Sequence, residues 1–139
     1  MKYAILLFTL FGTQRNSFAE IPHMHNPRHA GLVVMLGDDH YEAVREKKDT
    51  LVFYPSDKFR KALDPKLTKL EFQWISGKNK NPLTFTSDSK APFKISIHVP
   101  EQNGDLQIRA PRLDKPKGYL SLDTWQTVDI KKVPNRTHE

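Results

Sequence analysis

Two stretches of this chain alternate apolar and polar side chains without interruption. In Thr68-Lys-Leu-Glu-Phe-Gln-Trp74, Leu70, Phe72 and Trp74 fall on one side of an extended chain, and Lys69, Glu71 and Gln73 on the other. Phe93-Lys-Ile-Ser-Ile-His-Val99 repeats the pattern, with Phe93, Ile95, Ile97 and Val99 facing a core and Lys94, Ser96 and His98 facing water. A period of two gives a strand one apolar face, and that face must be covered by a second layer.

Shorter runs fit the same plan. Gly31-Leu-Val-Val-Met-Leu36 ends at the turn signal Gly37-Asp38-Asp39, and His40-Tyr-Glu-Ala-Val-Arg-Glu46 pairs back as a hairpin. Thr50-Leu-Val-Phe-Tyr54 is β-branched and aromatic and is expected to stop at Pro55. Lys78-Asn-Lys-Asn-Pro82 reads as a turn, and Leu83–Thr86, the Leu106/Ile108 region and Gly118–Thr124 as further strands. Residues 56–65 are open between a short helical stretch capped by Ser56 and a structured loop. About eight short strands at roughly ten-residue spacing predict an all-β fold, a small antiparallel Greek-key β-sandwich or barrel of about seven or eight strands.

The N-terminus has a different character. Lys2 precedes the apolar run Tyr3–Phe11, and Ser17-Phe-Ala19 offers small residues at a cleavage position. The run is shorter than the roughly 20 apolar residues a membrane-spanning helix needs. We expect residues 1–19 to be a signal peptide, 20–128 a single β domain opening on a histidine-containing segment over 20–30, and 129–139 a flexible charged tail. The expected location is periplasmic, with no membrane span once the leader is removed.

Charge and cysteine content exclude several functions. A leader carrying Lys2 and Arg15 leaves 20 basic against 16 acidic residues, a modest +4. The basic residues are scattered among acids, with no basic-aromatic strand pattern, so no nucleic-acid partner is expected. Cysteine is absent, which removes disulfides, thiolate zinc sites and blue-copper centres. No Ser/His/Asp order, phosphate loop or paired-carboxylate motif stands out, and we expect no enzyme activity.

The remaining signal is histidine. His23, His25 and His29 occur within Pro22-His-Met-His-Asn-Pro-Arg-His29, where the prolines favour an extended or looped chain. Side chains at positions 23 and 25 of an extended segment point the same way, about 6–7 Å apart. Two imidazoles at that spacing converge on one ion with slight bending, and Asn26-Pro27 offers a turn that returns His29 toward them. Neutral imidazole suits Cu(II), Zn(II) and Ni(II), and the Met24 thioether adds affinity for Cu(I). An amino-terminal chelate fails, because cleavage after Ala19 puts His23 fourth, and cleavage after Glu20 puts Pro22, which has no N–H to give up, at position two.

His40 lies opposite Met35 in the expected hairpin, whereas His29 extrapolates to a position opposite residue 46, on the order of 20 Å away. The plain reading of His40 is a half-exposed strand residue, with Glu42, Asp38 and Asp39 as possible neighbours. The metal candidates are therefore His23, His25 and His29, with Met24 and His40 secondary, and the cofactor a transition-metal ion, copper or zinc first.

The segment His29-Ala-Gly-Leu-Val-Val-Met-Leu-Gly-Asp-Asp-His40-Tyr-Glu42-Ala-Val44 resembles the His-Gly-Gly, apolar run, Gly, acidic/His turn, Glu-hydrophobic pattern of small periplasmic proteins and adaptor-associated domains of bacterial heavy-metal efflux systems. Asp49–Tyr54 is similar to the next strand of those domains, while Ala30 stands where the pattern has glycine. The resemblance implies a Greek-key β domain working in periplasmic homeostasis or efflux of copper, zinc, cobalt or nickel, as a buffer or carrier. The competing reading is a metal-free β-sandwich interaction module of an envelope complex, binding through exposed aromatics such as Tyr41, Tyr54 or Tyr119.

Overall fold

A computed structural model describes residues 25–88, 90–91, 93–100, 103–114 and 124–136. The expected leader, His23, Met24 and most of the expected strand at 118–124 lie outside those residues.

The described chain is all-β, with nine strands in two antiparallel sheets. In chain order they are β1 (Leu32–Leu36), β2 (Asp39–Lys47), β3 (Thr50–Ser56), β4 (Glu71–Ser76), β5 (Asn79–Leu83), β6 (Phe85–Ser87), β7 (Ile95–His98), β8 (Asp105–Arg109) and β9 (Gln126–Val128). One sheet has the order β1-β2-β3-β7-β6 and the other β5-β4-β8-β9. The chain thus crosses between layers after β3, β5 and β7.

The layers meet through the alternating residues. Leu36, Tyr41, Ala43, Leu51, Phe53, Ile95 and Ile97 of the first sheet face Phe72, Trp74, Leu106, Ile108 and Val128 of the second. Phe53 and Phe72 touch across the layers with ring centroids 5.2 Å apart. With no cysteine to cross-link the chain, this apolar interface is the main source of stability.

Several sequence expectations change for local reasons. β3 runs through Pro55 instead of stopping there. Its pairing with β7 ends at Phe53↔Ile95, so the missing Pro55 N–H falls where no neighbouring strand asks for it. Residues 78–82, read as a turn, form most of edge strand β5, and the reversal sits at Gly77, whose φ is +58°. An edge position tolerates Pro82 for the same reason. Residues 57–63 form a loop, in which the Asp57 carboxylate accepts from the N–H groups of Phe59 and Lys61 and the Leu63 N–H returns to the Pro55 carbonyl. Phe93, expected inward, is 45% exposed because β7 begins only at Ile95. Tyr41, expected on an exposed face, is fully buried in the core.

The chain from Asp129 to Arg136, expected as a tail, packs on the sandwich. A 3₁₀ turn spans Ile130–Lys132, Val133 is buried, and Asn135 bridges in parallel to Arg45. The Arg45 N–H donates to the Pro134 carbonyl and the Arg136 N–H to the Arg45 carbonyl, on the side of β2 where pairing with β1 has already ended at Leu32↔Ala43.

Candidate functional site

The outer face of the β1–β2–β3 sheet should be wet, yet part of it is sealed. Cross-strand partners share a face, so the registers Met35↔His40↔Ser56 and Val33↔Glu42↔Tyr54 define two rows pointing away from the core. His40 is fully buried and Glu42 is 2% exposed. The cover comes from two directions. Residues 25–31 fold over β2 as a strap, and the 57–63 loop closes the other side. The two are tied by the Arg28 Nη1 donating to the Arg60 carbonyl at 2.6 Å and the Arg60 Nη2 donating to the Asn26 carbonyl at 3.0 Å.

The strap departs from the straight hairpin extension at Ala30, whose φ is +55°. That left-handed residue reverses the chain, so His29 never continues along the ladder toward residue 46. Gly31 makes the close approach possible. A side chain there would place its Cβ 2.5 Å from the Ala43 carbonyl oxygen and 2.8 Å from the Glu42 side chain.

Glu42 is the strap's anchor. Its Oε1 accepts from the His29 N–H at 2.6 Å and the Gly31 N–H at 2.9 Å. Its Oε2 accepts from the Arg28 N–H at 2.9 Å and faces the His29 Nδ1 at 3.0 Å. Arg60, 6% exposed, holds its Nη2 3.9 Å from the same oxygen. Burial alone would raise the Glu42 carboxyl. The hydrogen bonds from Gly31, Arg28 and His29 outweigh it and hold the group below its ordinary value. The His29 ring also stacks on Tyr54, with centroids 3.8 Å apart and planes 10° from parallel.

His40, expected to be half exposed, is instead enclosed beside this anchor. Its Nδ1 lies 3.2 Å from the Asp57 carbonyl oxygen. A carbonyl only accepts, so Nδ1 carries the proton in the neutral ring and Nε2 keeps the lone pair. The His25 ring lies 5.4 Å from the His40 ring, centroid to centroid, tilted by 39°. His25 itself is exposed, so this ring pair is open on one side to solvent.

The sequence-derived candidates therefore divide. His25 and His40 come together, His29 is committed to Glu42 and Tyr54, and His23 and Met24 lie outside the described residues. Among the described residues, no group of three or more His, Asp, Glu or Cys side chains is placed to hold one metal ion, so His29 does not complete a three-imidazole set with His25 and His40. His98, 82% exposed beside Asp49, is the solvated strand residue its alternation suggests.

Sequence reasoning missed Arg60 and the anchoring role of Glu42. One signal was present: a carboxylate two residues from His40, in a strand otherwise bound for burial, needs donors from elsewhere in the chain. Arg60 carried none, because its φ of +64° and its buried position come from the loop's closure.

A cleft of about 690 Å³ lies at the far end of β2, lined by Arg45, Lys48, Trp74, Asp105 and Lys131 among others. It does not reach the strap. Comparison with protein-family profiles, characterised proteins and solved structures returns no match.

Proposed function

We propose that this chain is a periplasmic transition-metal-binding protein that buffers or carries copper or zinc, with no catalytic step of its own. The observation that supports the reading is the His25–His40 pair, its rings 5.4 Å apart and His40 oriented by the Asp57 carbonyl. Metal-ligating histidines are commonly held this way, one ring nitrogen bonded to a carbonyl and the other presenting its lone pair. Glu42, Arg60 and His29 then work indirectly, by fixing the strap that carries His25. A context in heavy-metal homeostasis or efflux follows from the resemblance of residues 29–44, and an efflux-system or other envelope protein is the partner it suggests. Among the described residues no helix is long and apolar enough to cross a membrane.

The test is metal titration of the purified chain with Zn(II) and copper, repeated on His25→Ala and His40→Ala. The reading expects one ion per chain and at least a tenfold loss in each variant. Equal binding by the wild type and both variants refutes it.

The metal-free interaction module keeps one supporting observation. Leu67 and Leu113 are 43% and 56% exposed and adjacent, with the Leu113 N–H donating to the Leu67 carbonyl at 2.7 Å. Recovery of a stoichiometric envelope partner that is insensitive to chelator, and lost in Leu67→Ser/Leu113→Ser, would favour that reading.

A further inference from the structure

The strand register supplies a donor that histidine spacing does not. Met35 pairs directly with His40 across β1 and β2. Directly paired residues of antiparallel strands project to the same face, with Cβ atoms about 4.5–5.5 Å apart. That face is the one on which His40 meets His25. Met35 is half-buried and takes no part in the apolar core, which claims its neighbours Val34 and Leu36. A thioether reaches two bonds beyond Cβ, and its unbranched chain adapts to a nearby partner.

We propose that Met35 completes the His25–His40 pair as a thioether ligand, and that the resulting two-imidazole, one-thioether set selects Cu(I). This rests on the metal-binding reading above and deepens it to a particular ion. Thioether sulfur is soft and adds little for Zn(II), which prefers nitrogen, oxygen and thiolate. Cu(I) accepts low coordination numbers, so three donors on one side of a sheet suffice. The exposed rim at His25 gives the ion a way in, while the enclosed His40 and the apolar Val33 beside Met35 limit water around it. Only ion binding is involved; no electron is transferred in the step.

The experiment uses the whole chain under anaerobic, reducing conditions. Cu(I) affinity is measured by competition with a chromophoric bidentate chelator, and Zn(II) affinity by competition with a zinc indicator. The variants are Met35→Leu, which keeps volume and strand pairing, and Met24→Leu, which removes the competing thioether. In parallel, ¹³C-methyl methionine spectra follow the sulfur-bound methyl groups during titration with each ion.

The expected result is a loss of Cu(I) affinity of about tenfold or more in Met35→Leu, with Zn(II) affinity changed by less than about twofold. The Met35 methyl resonance should shift with Cu(I) and stay in place with Zn(II). Any loss in Met24→Leu should be smaller than the loss in Met35→Leu. Unchanged Cu(I) affinity in Met35→Leu, or a loss carried by Met24→Leu alone, overturns the assignment while leaving the His25–His40 reading standing. A wild-type chain that binds neither ion removes both.

Discussion

The anchor at Glu42 gives the most demanding test of this structure. Glu42→Gln preserves the shape of the side chain and removes its charge. One carboxylate oxygen becomes an NH₂ group, which opposes the His29 and Gly31 N–H groups at the Oε1 position, or the Arg28 N–H and a protonated His29 Nδ1 at the Oε2 position. Charge-assisted hydrogen bonds are worth roughly 1.5–3 kcal/mol each, and a buried donor left unsatisfied costs about as much. Two such losses total about 3–6 kcal/mol before relief. His29 is 44% exposed, so water re-solvates part of the released strap and favours the low end, about 2–4 kcal/mol. Urea unfolding at pH 7 reads the total. Amide exchange at Arg28, His29 and Gly31 reads the strap separately, and those three should lose protection before the β2–β3 ladder does. Glu46→Gln is the control: its carboxylate pairs with Lys94 and Arg136 at the half-exposed rim, and its loss should cost less than about 1 kcal/mol. A Glu42→Gln protein within about 0.5 kcal/mol of wild type, or one with unchanged exchange at those three amides, would refute the anchoring argument.

The remaining expectations follow from the same geometry. Because the Glu42 carboxyl is held below its ordinary value of 4.5, its contribution is fully present above that value and disappears as pH falls through the lowered one. Acid titration followed by proteolysis should therefore release residues 25–31 only at pH values below 4.5, while the sandwich persists. Metal affinity should fall on acidification, because a protonated imidazole has no lone pair to offer an ion; a pH-independent affinity would exclude histidine ligands. Gly31→Ala drives a methyl into the Ala43 carbonyl and should destabilise by about 1–3 kcal/mol in urea unfolding, whereas Ala30→Gly, at a left-handed residue, should be neutral or mildly stabilising. Phe53→Ala opens the centre of the inter-sheet contact and should cost about 3–5 kcal/mol by the same assay, the signature of a fully buried ring.

The proposed link of residues 29–44 to heavy-metal efflux domains has a physical counterpart in the strap. A pattern that places glycine at position 30 fits a residue with φ of +55°, and the Gly at 31 fits a chain pressed against the Ala43 carbonyl. The acid at 42 fits a carboxylate receiving three backbone N–H groups. Much of that motif thus specifies how a loop closes over β2, and the metal reading falls on His25, His40 and Met35.

Alternation was sufficient to determine that the chain forms strands, which side chains of β4, β7 and β8 face inward, and that the β1–β2 turn sits at Gly37 with Met35 opposite His40. These are local facts: a period of two and a turn signal fix which face a side chain occupies wherever the strand ends up. The sequence could not reveal which polar residues would be covered, because burial on the outer face depends on segments distant in the chain. Ala30 turning left-handed, the loop at residues 57–63 folding back and Arg60 tying it to Asn26 together enclose His40 and Glu42. Those contacts span up to 34 residues, and no window of sequence encodes their geometry. Tertiary closure therefore decided that His29 would serve as a latch and that His25 would meet His40.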